Sequence, residues 1–258
     1  MPLVNTTRRG SIAIVELARP ESGNALSNAL VAELVAAVAA VPAGGARALV
    51  LAGAGRHFCT GADLAELATT AEAPERDRIA DAMRLGDLYA ALLRCPLLTV
   101  AAVHGAAFGG GMGLAAACDL VIAGPAARIQ FSEARLGFVP ALISVFLPRR
   151  VPAARLLRMF ADPEPIGAEA ARDAGLVDEI APEPRAASER RAAEVCRKVA
   201  ASALAETKRL LLDATVPELD ARLAAAARVN ARQRAHPECR RGLARFSETK
   251  VFADWLEP

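Results

Sequence analysis

The chain has 258 residues, 53% of them hydrophobic, which is enough to bury one sizeable core or a core with an appended element. The charged fraction of 23% and the net charge of +2 argue against disorder and against a polyelectrolyte partner. Aromatic residues make up only 4%, so no nucleic-acid-binding surface is expected. The five cysteines form no C-x-x-C pair and are odd in number, which favours free thiols and a cytoplasmic location.

One long apolar stretch, residues 97–118, superficially resembles a membrane span. It contains His104 and five glycines, which predict a buried strand, a tight loop and a buried helix instead. The N-terminus lacks the charged region and cleavage site of a signal peptide. We therefore expect a soluble protein without a membrane partner.

The first half of the chain alternates strand-like and helix-like segments. Short runs rich in β-branched residues predict strands, and apolar residues at helical spacing predict helices. In chain order the predicted elements are strand 12–17, helix 27–41, strand 48–51, helix 63–67, helix 78–93, strand 98–103, helix 111–118 and strand 120–123. The polar segment 69–77 contains Pro74 and is predicted to be an exposed, mobile loop. This alternation is typical of an α/β fold.

The last quarter of the chain carries no strand signal. Helices are predicted over residues 188–201, 205–212, 218–235 and 238–246. A purely helical tail of this length is expected to pack on something larger than itself, and a partner subunit is the obvious candidate.

The segment at residues 56–67, RHFCTGADLAEL, places a glycine turn directly before a helix. Backbone N–H groups at a helix start lack intrahelical partners, and the small side chain of Ala62 leaves its N–H reachable by a ligand oxygen. A simpler interpretation is that Asp63 is only the N-cap of the helix.

A second glycine-rich segment, HGAAFGGGMGLAAACDL at residues 104–120, is neither a Walker A loop nor a G-x-G-x-x-G fingerprint. Three consecutive glycines let a ligand approach the backbone closely. Two such helix starts could offer paired N–H donors to one oxygen, as in an oxyanion hole. Alternatively, the glycines only permit tight packing of the helix on the sheet.

A third segment, FSEARLGFVPALIS at residues 131–144, carries Glu133 among few polar neighbours. Desolvation there would raise the pKa of the carboxyl group, which suits a general acid or base near neutral pH. The alternative is a glutamate that caps a helix or pairs with Arg135 or Arg149.

Together these segments resemble the enoyl-CoA hydratase/isomerase (crotonase) superfamily over essentially the full chain. Five stretches in order carry the resemblance: RPESGNAL at 19–26, FCTGADL at 58–64, HGAAFGGGMGLAAACDLVIA at 104–123, FSEARLGFVP at 131–140 and GAEAARDAGLVDEI at 167–180. The resemblance implies an α/β spiral of ββα units over residues 1–183. It also implies an all-helical C-terminal region over 184–258 that forms a homotrimer or a dimer of trimers.

The resemblance also implies a site for an acyl-CoA thioester. Ala62 and Gly110 match the two N–H donors to the thioester oxygen, and Glu133 matches a catalytic glutamate that transfers a proton at the α-carbon. The family's other glutamate, which positions water, is replaced here by Gly113. The expected CoA-binding positions are Asn24, Ala25, Leu26, Gly61, Ala62, Asp63, Leu64, Gly109, Gly110 and, more loosely, Lys250. No metal or separate cofactor is expected, since coenzyme A is part of the substrate.

The expected reaction is reversible syn addition of water to a 2-enoyl thioester, delivered by CoA or an acyl-carrier protein. The sub-pattern GGGMGL with FSEARLGFVPALIS resembles methylglutaconyl-CoA hydratases and polyketide β-branching dehydratases, whose substrates carry a distal carboxylate. Arg84, Arg149 and Arg150 are candidates to bind that carboxylate.

Other activities stay open on the same residues. The alternatives are a Δ3,Δ2-enoyl-CoA isomerase, a β-branching dehydratase or decarboxylase, and a catalytically silent acyl-CoA-binding relative. A serine hydrolase is disfavoured, because the chain has three histidines and no G-x-S-x-G motif, and His104 is interpreted as a hydrogen-bonded core residue.

Overall fold

The structure, a computed structural model, describes residues 2–256. Its strands are β1 Val4–Arg9, β2 Ile12–Leu17, β3 Ala48–Gly53, β4 Leu98–Val103, β5 Ala106–Phe108, β6 Leu120–Ala123, β7 Arg128–Gln130, β8 Ile166–Gly167 and β9 Glu179–Ile180. Its α-helices are α1 Asn28–Ala40, α2 Leu64–Thr70, α3 Glu75–Arg94, α4 Gly110–Ala117, α5 Ala153–Ala161, α6 Ala168–Ala174, α7 Pro184–Lys198, α8 Ala201–Thr215, α9 Leu219–Ala235 and α10 Pro237–Thr249.

Two sheets organise the chain. The larger sheet has the order β1-β2-β3-β4-β6-β9, and the smaller has the order β5-β7-β8. In the larger sheet only the β1–β2 pair is antiparallel, and β2, β3, β4, β6 and β9 run parallel to one another. Every residue of β3 and β4 is buried, as expected of parallel strands covered by helices on both faces. The resulting architecture is α/β, as the sequence predicts.

Helices cover both faces of the large sheet. Helix α1 starts at the N-cap Ser27, whose hydroxyl accepts a hydrogen bond from the N–H of Leu30, and it buries an apolar stripe that includes Leu34. On the opposite face, α7 packs Ala187 and Ala192 against strand residues such as Val100. These layers fix the loops at the ends of the strands, where the candidate site lies.

All four predicted strands and all four predicted helices of the first half are confirmed, within a few residues. The remaining elements β1, β5, β7, β8, β9, α5 and α6 are not predicted from the sequence. Strand β1, VNTTRR, is an exposed edge strand without an apolar face, and β8 and β9 have two residues each. Such short or polar strands form because a neighbouring strand pairs with them, not because of their own hydrophobic pattern.

The predicted loop over residues 69–77 is wrong in its secondary structure, although most of these residues are exposed as predicted. Helix α2 continues to Thr70 and helix α3 begins at Glu75, so only residues 71–74 connect them. Ala71 is buried, and its carbonyl accepts a hydrogen bond from Arg78. Acidic residues in the first turn of α3 favour a helix start, because they complement its dipole.

The helical tail is confirmed: α8 and α10 are longer than predicted, α7 begins four residues earlier, and α9 begins one residue later. Much of it packs on its own chain: α9 lies along α3, and α10 contacts α2 and the 3₁₀ turn Glu133–Leu136. A packing role against a partner subunit and the domain division at residue 183 stay predictions. Among residues 2–256, no helix is both long and apolar enough to cross a membrane.

Candidate active site

Two glycine-containing segments meet at a short parallel bridge between Cys59 and Ala107. The N–H of Cys59 donates to the carbonyl of Ala106 at 3.1 Å, and the N–H of Phe108 donates to the carbonyl of Cys59 at 3.0 Å. The approach is so close that a Cβ on Gly111 would lie 2.3 Å from the Cys59 carbonyl oxygen. Only glycine fits there, and the bridge places the start of α4 beside the turn before α2.

The N–H groups of Ala62 and Gly110 are both available at this junction. The N–H of Leu26 donates to the Gly61 carbonyl at 2.8 Å, and the Leu26 carbonyl accepts from the N–H of Asp63 at 3.2 Å. These bonds involve the residues on either side of Ala62 and not Ala62 itself. Gly110 is the first residue of α4, where N–H groups have no intrahelical acceptor. Within residues 2–256 neither N–H donates to a backbone carbonyl or a side chain. The pair is therefore free to donate to a ligand oxygen.

Asp63 is the N-cap of α2, as the simpler interpretation has it. Its Oδ1 accepts from the N–H groups of Ala65 and Glu66, at 3.2 and 3.4 Å. Its Oδ2 lies 3.2 Å from Nη1 of Arg19. These contacts hold the turn that presents the Ala62 N–H.

Glu133 opens the 3₁₀ turn Glu133–Leu136 and points its carboxyl group at the glycine segment. Its Oε1 lies 2.9 Å from the position that a Cβ on Gly109 would occupy. Its Oε2 is buried and has no hydrogen-bond partner among the described residues. Burial raises the pKa of Glu133 to about 7. The alternative ion pair is wrong: among the described residues neither Arg135 nor Arg149 pairs with Glu133, and Arg135 pairs with Glu164 instead.

A cavity of about 570 Å³ adjoins these groups. Of the predicted site residues, Ala25, Gly61, Ala62, Asp63, Leu64, Gly109, Gly110 and Glu133 line it. Its other walls are mainly apolar, with side chains of α2, α3 and α10 contributing Leu67, Leu85, Leu243 and Phe246. The cavity can hold an apolar acyl group in contact with the two free N–H groups and the carboxyl group.

Three predicted CoA-binding residues and Gly113 do not line this cavity. Asn24 is buried, and its amide nitrogen donates to the carbonyls of Ala54 and His57. Leu26 packs against Gly110, and the Nζ of Lys250, which follows α10, donates to the carbonyl of Ser247. Gly113 is buried within α4.

The predicted arginine-rich pocket is wrong for the three arginines considered, since none lines the cavity. Arg150 donates to the carbonyls of Ala116, Cys118 and Asp119 at the C-terminal end of α4. Arg84 donates to the side chain of Asn28, and Arg149 is exposed. Arg150 thus stabilises a helix end whose carbonyls would otherwise lack donors.

Several residues that line the cavity are not predicted from the sequence, above all Tyr89 and Asn230. The Tyr89 hydroxyl donates to the carbonyl of Gly110 at 3.0 Å, which ties α3 to the first residue of α4. Tyr89 is the single tyrosine of the chain and lies in an apolar helix segment, a signal that could have been noticed. Asn230 and the aromatic residues near the C-terminus gave no such signal.

The three histidines all make structural hydrogen bonds. His104 Nε2 lies 2.9 Å from the Gly55 carbonyl oxygen, and His57 Nδ1 accepts from the N–H of Ala106. His236 accepts from the N–H of Glu238 at the start of α10. None of the three lines the cavity, which agrees with the exclusion of a serine hydrolase.

Comparisons with known proteins agree with this geometry. The enoyl-CoA hydratase/isomerase family model matches residues 7–257. A protein of Thermus thermophilus named as an enoyl-CoA hydratase is 37% identical over 244 residues, covering 94% of this chain and 96% of its own. A crystal structure of an enoyl-CoA hydratase from Mycobacterium avium superposes with a TM-score of 0.86 at 31% identity, covering 98% of each chain.

A further solved structure, titled as a polyketide-biosynthesis enoyl-CoA hydratase of Bacillus subtilis, has a TM-score of 0.86. It is 25% identical, covering 97% of this chain and 98% of its own. The family model and the Thermus thermophilus relative each span nearly the whole sequence, so both the fold and the site segments lie inside the match. The chain belongs to the enoyl-CoA hydratase/isomerase family.

Proposed function

We propose that the protein catalyses the reversible syn addition of water to a 2-enoyl thioester. One observation carries this proposal: the free N–H groups of Ala62 and Gly110 and the Glu133 carboxyl group border the same apolar cavity. The names of the relatives, as enoyl-CoA hydratases, support the same reaction class.

The two N–H groups would bind the thioester carbonyl oxygen. Negative charge grows on that oxygen when the α-carbon becomes part of an enolate, and preorganised donors stabilise the charge without reorganising. Each such donor contributes on the order of 3 kcal/mol to transition-state stabilisation.

Glu133 would move the proton. Its carboxylate accepts a proton from water while the water oxygen bonds to the β-carbon and the π electrons move toward the thioester oxygen. The α-carbon of the enolate then takes that proton from Glu133. One water has been added, the thioester is intact and the carboxylate is restored. A pKa of about 7 lets the group accept and release a proton near neutral pH.

The substrate would be an acyl thioester of CoA or of an acyl-carrier protein. The mainly apolar lining of the cavity supports an apolar portion next to the thioester. We assign Ala25, Gly61 and Leu64 to contacts with the acyl or thioester-linked chain, since they line the cavity near Ala62. The thiols of all five cysteines are free, which supports a cytoplasmic location.

We also propose that the chain forms a homotrimer or a dimer of trimers. Leu210 and Leu211 on α8, each 59% exposed, support burial of this face in an oligomer. Light scattering during size-exclusion chromatography measures the mass, and a monomer at micromolar concentration contradicts the assembly.

Isomerisation of a 3-enoyl to a 2-enoyl thioester is a second candidate, favoured by a specific observation. Among residues 2–256, two carboxylates line the cavity. Asp63 is engaged by Arg19 and the N-terminus of α2, which leaves Glu133 as the unengaged one. Isomerisation needs one acid–base group and the oxyanion donors, and this is the set that the cavity offers.

The test compares two substrates with the wild-type protein and the Glu133→Gln variant. Hydration of crotonyl-CoA removes the ultraviolet absorbance of the conjugated thioester, whereas isomerisation of a 3-enoyl-CoA creates it. We expect hydration by the wild type and a loss of at least about 100-fold in E133Q, with nearly unchanged thioester binding. Turnover of the 3-enoyl substrate alone favours the isomerase, and binding without any turnover indicates a silent relative.

A further inference from the structure

Arg234 is a buried charge that the proposed reaction does not use. It lies on α9 with only 3% of its surface exposed, and it joins three helices. One terminal nitrogen donates to Asp81 of α3 and, at 2.9 Å, to the hydroxyl of Thr70 of α2. The other donates to Oδ1 of Asn230, one turn earlier on α9, at 3.1 Å.

This last contact fixes which way the Asn230 amide faces. A guanidinium group only donates hydrogen bonds, so the amide oxygen of Asn230 must point at Arg234 and its NH₂ group must point away. Within residues 2–256 that NH₂ group donates to no acceptor. Asn230 lines the cavity that holds the two free N–H groups and Glu133. Its amide donors are therefore available to a bound molecule.

The Asn230 amide is a polar donor on a mainly apolar cavity wall. The cavity is mainly lined by apolar residues such as Leu67, Phe138 and Leu243, none of which can accept a hydrogen bond through its side chain. A donor without a protein partner in such surroundings is free to bind an acceptor on a ligand. The ion pair of Arg234 with Asp81 already joins α9 to α3. The NH₂ group of Asn230 is therefore not needed to hold these helices together.

We propose that Asn230 forms a polar subsite that binds an oxygen atom carried by the acyl group of the substrate. The inference rests on the proposed acyl-thioester function. A donor on an otherwise apolar wall selects a hydrogen-bond acceptor on the acyl chain, which a hydroxyl, keto or carboxylate oxygen supplies. Arg234 acts as the positioning residue for the amide. Its charge is balanced by Asp81, which also lies 3.4 Å from Arg84.

Binding experiments with saturated thioesters test this subsite without any turnover. A ladder of ω-hydroxyacyl-CoA esters of increasing length is titrated calorimetrically, each against its unsubstituted counterpart, and a matching ω-carboxyacyl ladder forms the second arm. At one chain length we expect the oxygenated ester to bind about two- to tenfold more tightly than its counterpart. A gain in the hydroxy arm alone identifies a neutral acceptor, and a gain in the carboxy arm identifies a carboxylate.

Two variants locate the gain. Asn230→Asp keeps an oxygen for Arg234 and nearly the same shape, but it replaces the free donor with an acceptor, so we expect the gain to disappear or reverse. Asn230→Leu, which removes the amide donor altogether, is also expected to remove the gain. The matched control is Asn28→Asp. The Oδ1 of Asn28 accepts from Arg84 at 3.1 Å, as the Oδ1 of Asn230 accepts from Arg234, but Asn28 does not line the cavity that holds Glu133. We expect N28D to keep the gain.

Two results contradict the Asn230 subsite, and both can be distinguished from a failure of the proposed function. If unsubstituted esters bind but no oxygenated ester of any length binds more tightly, the subsite is wrong. The same holds if the gain survives in N230D. If no thioester binds the wild type at all, the acyl-thioester function itself is wrong and the subsite falls with it.

Discussion

The hydroxyl oxygen of Tyr89 lies 2.9 Å from the position that a Cβ on Gly113 would occupy. On the other side, a methyl carbon of Ile143 lies 2.4 Å from the same position. The resemblance to the enoyl-CoA hydratase/isomerase family places a water-positioning glutamate at residue 113. In this chain Tyr89 and Ile143 occupy the space that such a side chain would need. The departure from the family pattern therefore involves these neighbours as well as residue 113.

Gly113→Ala is expected to destabilise the protein despite the higher helix propensity of alanine. Crowding of this kind costs about 1–3 kcal/mol in the free energy of unfolding. Combining it with Ile143→Ala, which removes the crowding methyl group, should cost less than the sum of the two single changes. Gly86→Ala is the control, because its Cβ would meet only an ordinary contact at 3.6 Å. If the changes in the free energy of unfolding, measured with urea, are strictly additive in the double variant, Ile143 does not crowd residue 113.

Tyr89→Phe removes the hydrogen bond to the Gly110 carbonyl and keeps the ring. Burial raises the pKa of Tyr89 well above its usual value, so the hydroxyl remains a donor over the working pH range. We expect a loss of about 1 kcal/mol in the free energy of unfolding and a fall in kcat of about tenfold. Thioester binding should change less than kcat. An unchanged kcat would show that the start of α4 holds Gly110 without help.

The pKa of Glu133 predicts how activity depends on pH. The proposed reaction starts from the carboxylate, so kcat/KM for hydration should rise with pH, be half-maximal near pH 7 and level off above it. The profile is measured with crotonyl-CoA in buffers of constant ionic strength. A profile that falls over the same range indicates that the protonated acid starts the reaction.

The same pKa predicts a change in stability with pH. The carboxyl pKa is raised from 4.5 to about 7 on folding, so the stability it contributes is fully present below about pH 4.5. That contribution is lost as the pH rises through about 7, where the buried group ionises. Glu133→Gln should therefore be more stable relative to wild type at pH 8 than at pH 5. Thermal unfolding of both proteins at the two pH values checks this. An equal stability difference between wild type and E133Q at pH 5 and pH 8 contradicts the raised pKa.

Ala62→Pro tests the oxyanion donor directly. The N–H of Ala62 forms no hydrogen bond among residues 2–256, so removing it should cost little folding energy. Loss of one such donor lowers kcat by about 100- to 1,000-fold. Ala62→Gly keeps the N–H and serves as the control, with kcat within a few-fold of wild type. Equal losses in both variants would point to distortion of the turn instead.

Much of the fold could be predicted because its central elements carry their own patterns. Strand β4 is a continuous apolar run, and α1 combines a helical apolar stripe with the Ser27 N-cap. Strand β1 and the two-residue strands lack such patterns and form through pairing. The loop predicted over residues 69–77 failed because Pro74 was interpreted as a break, whereas proline is well tolerated at a helix start.

The family and the three segments that carry Ala62, Gly110 and Glu133 can be identified from the amino-acid sequence alone. Short segments can do this because a glycine turn, a helix start and an isolated glutamate are local features of the chain. Tertiary structure alone decided that Tyr89 fills the space beside Gly113, that Arg150 caps α4, and that Asn230 faces the cavity. These relationships join residues distant in sequence, and side-chain direction depends on how the helices pack.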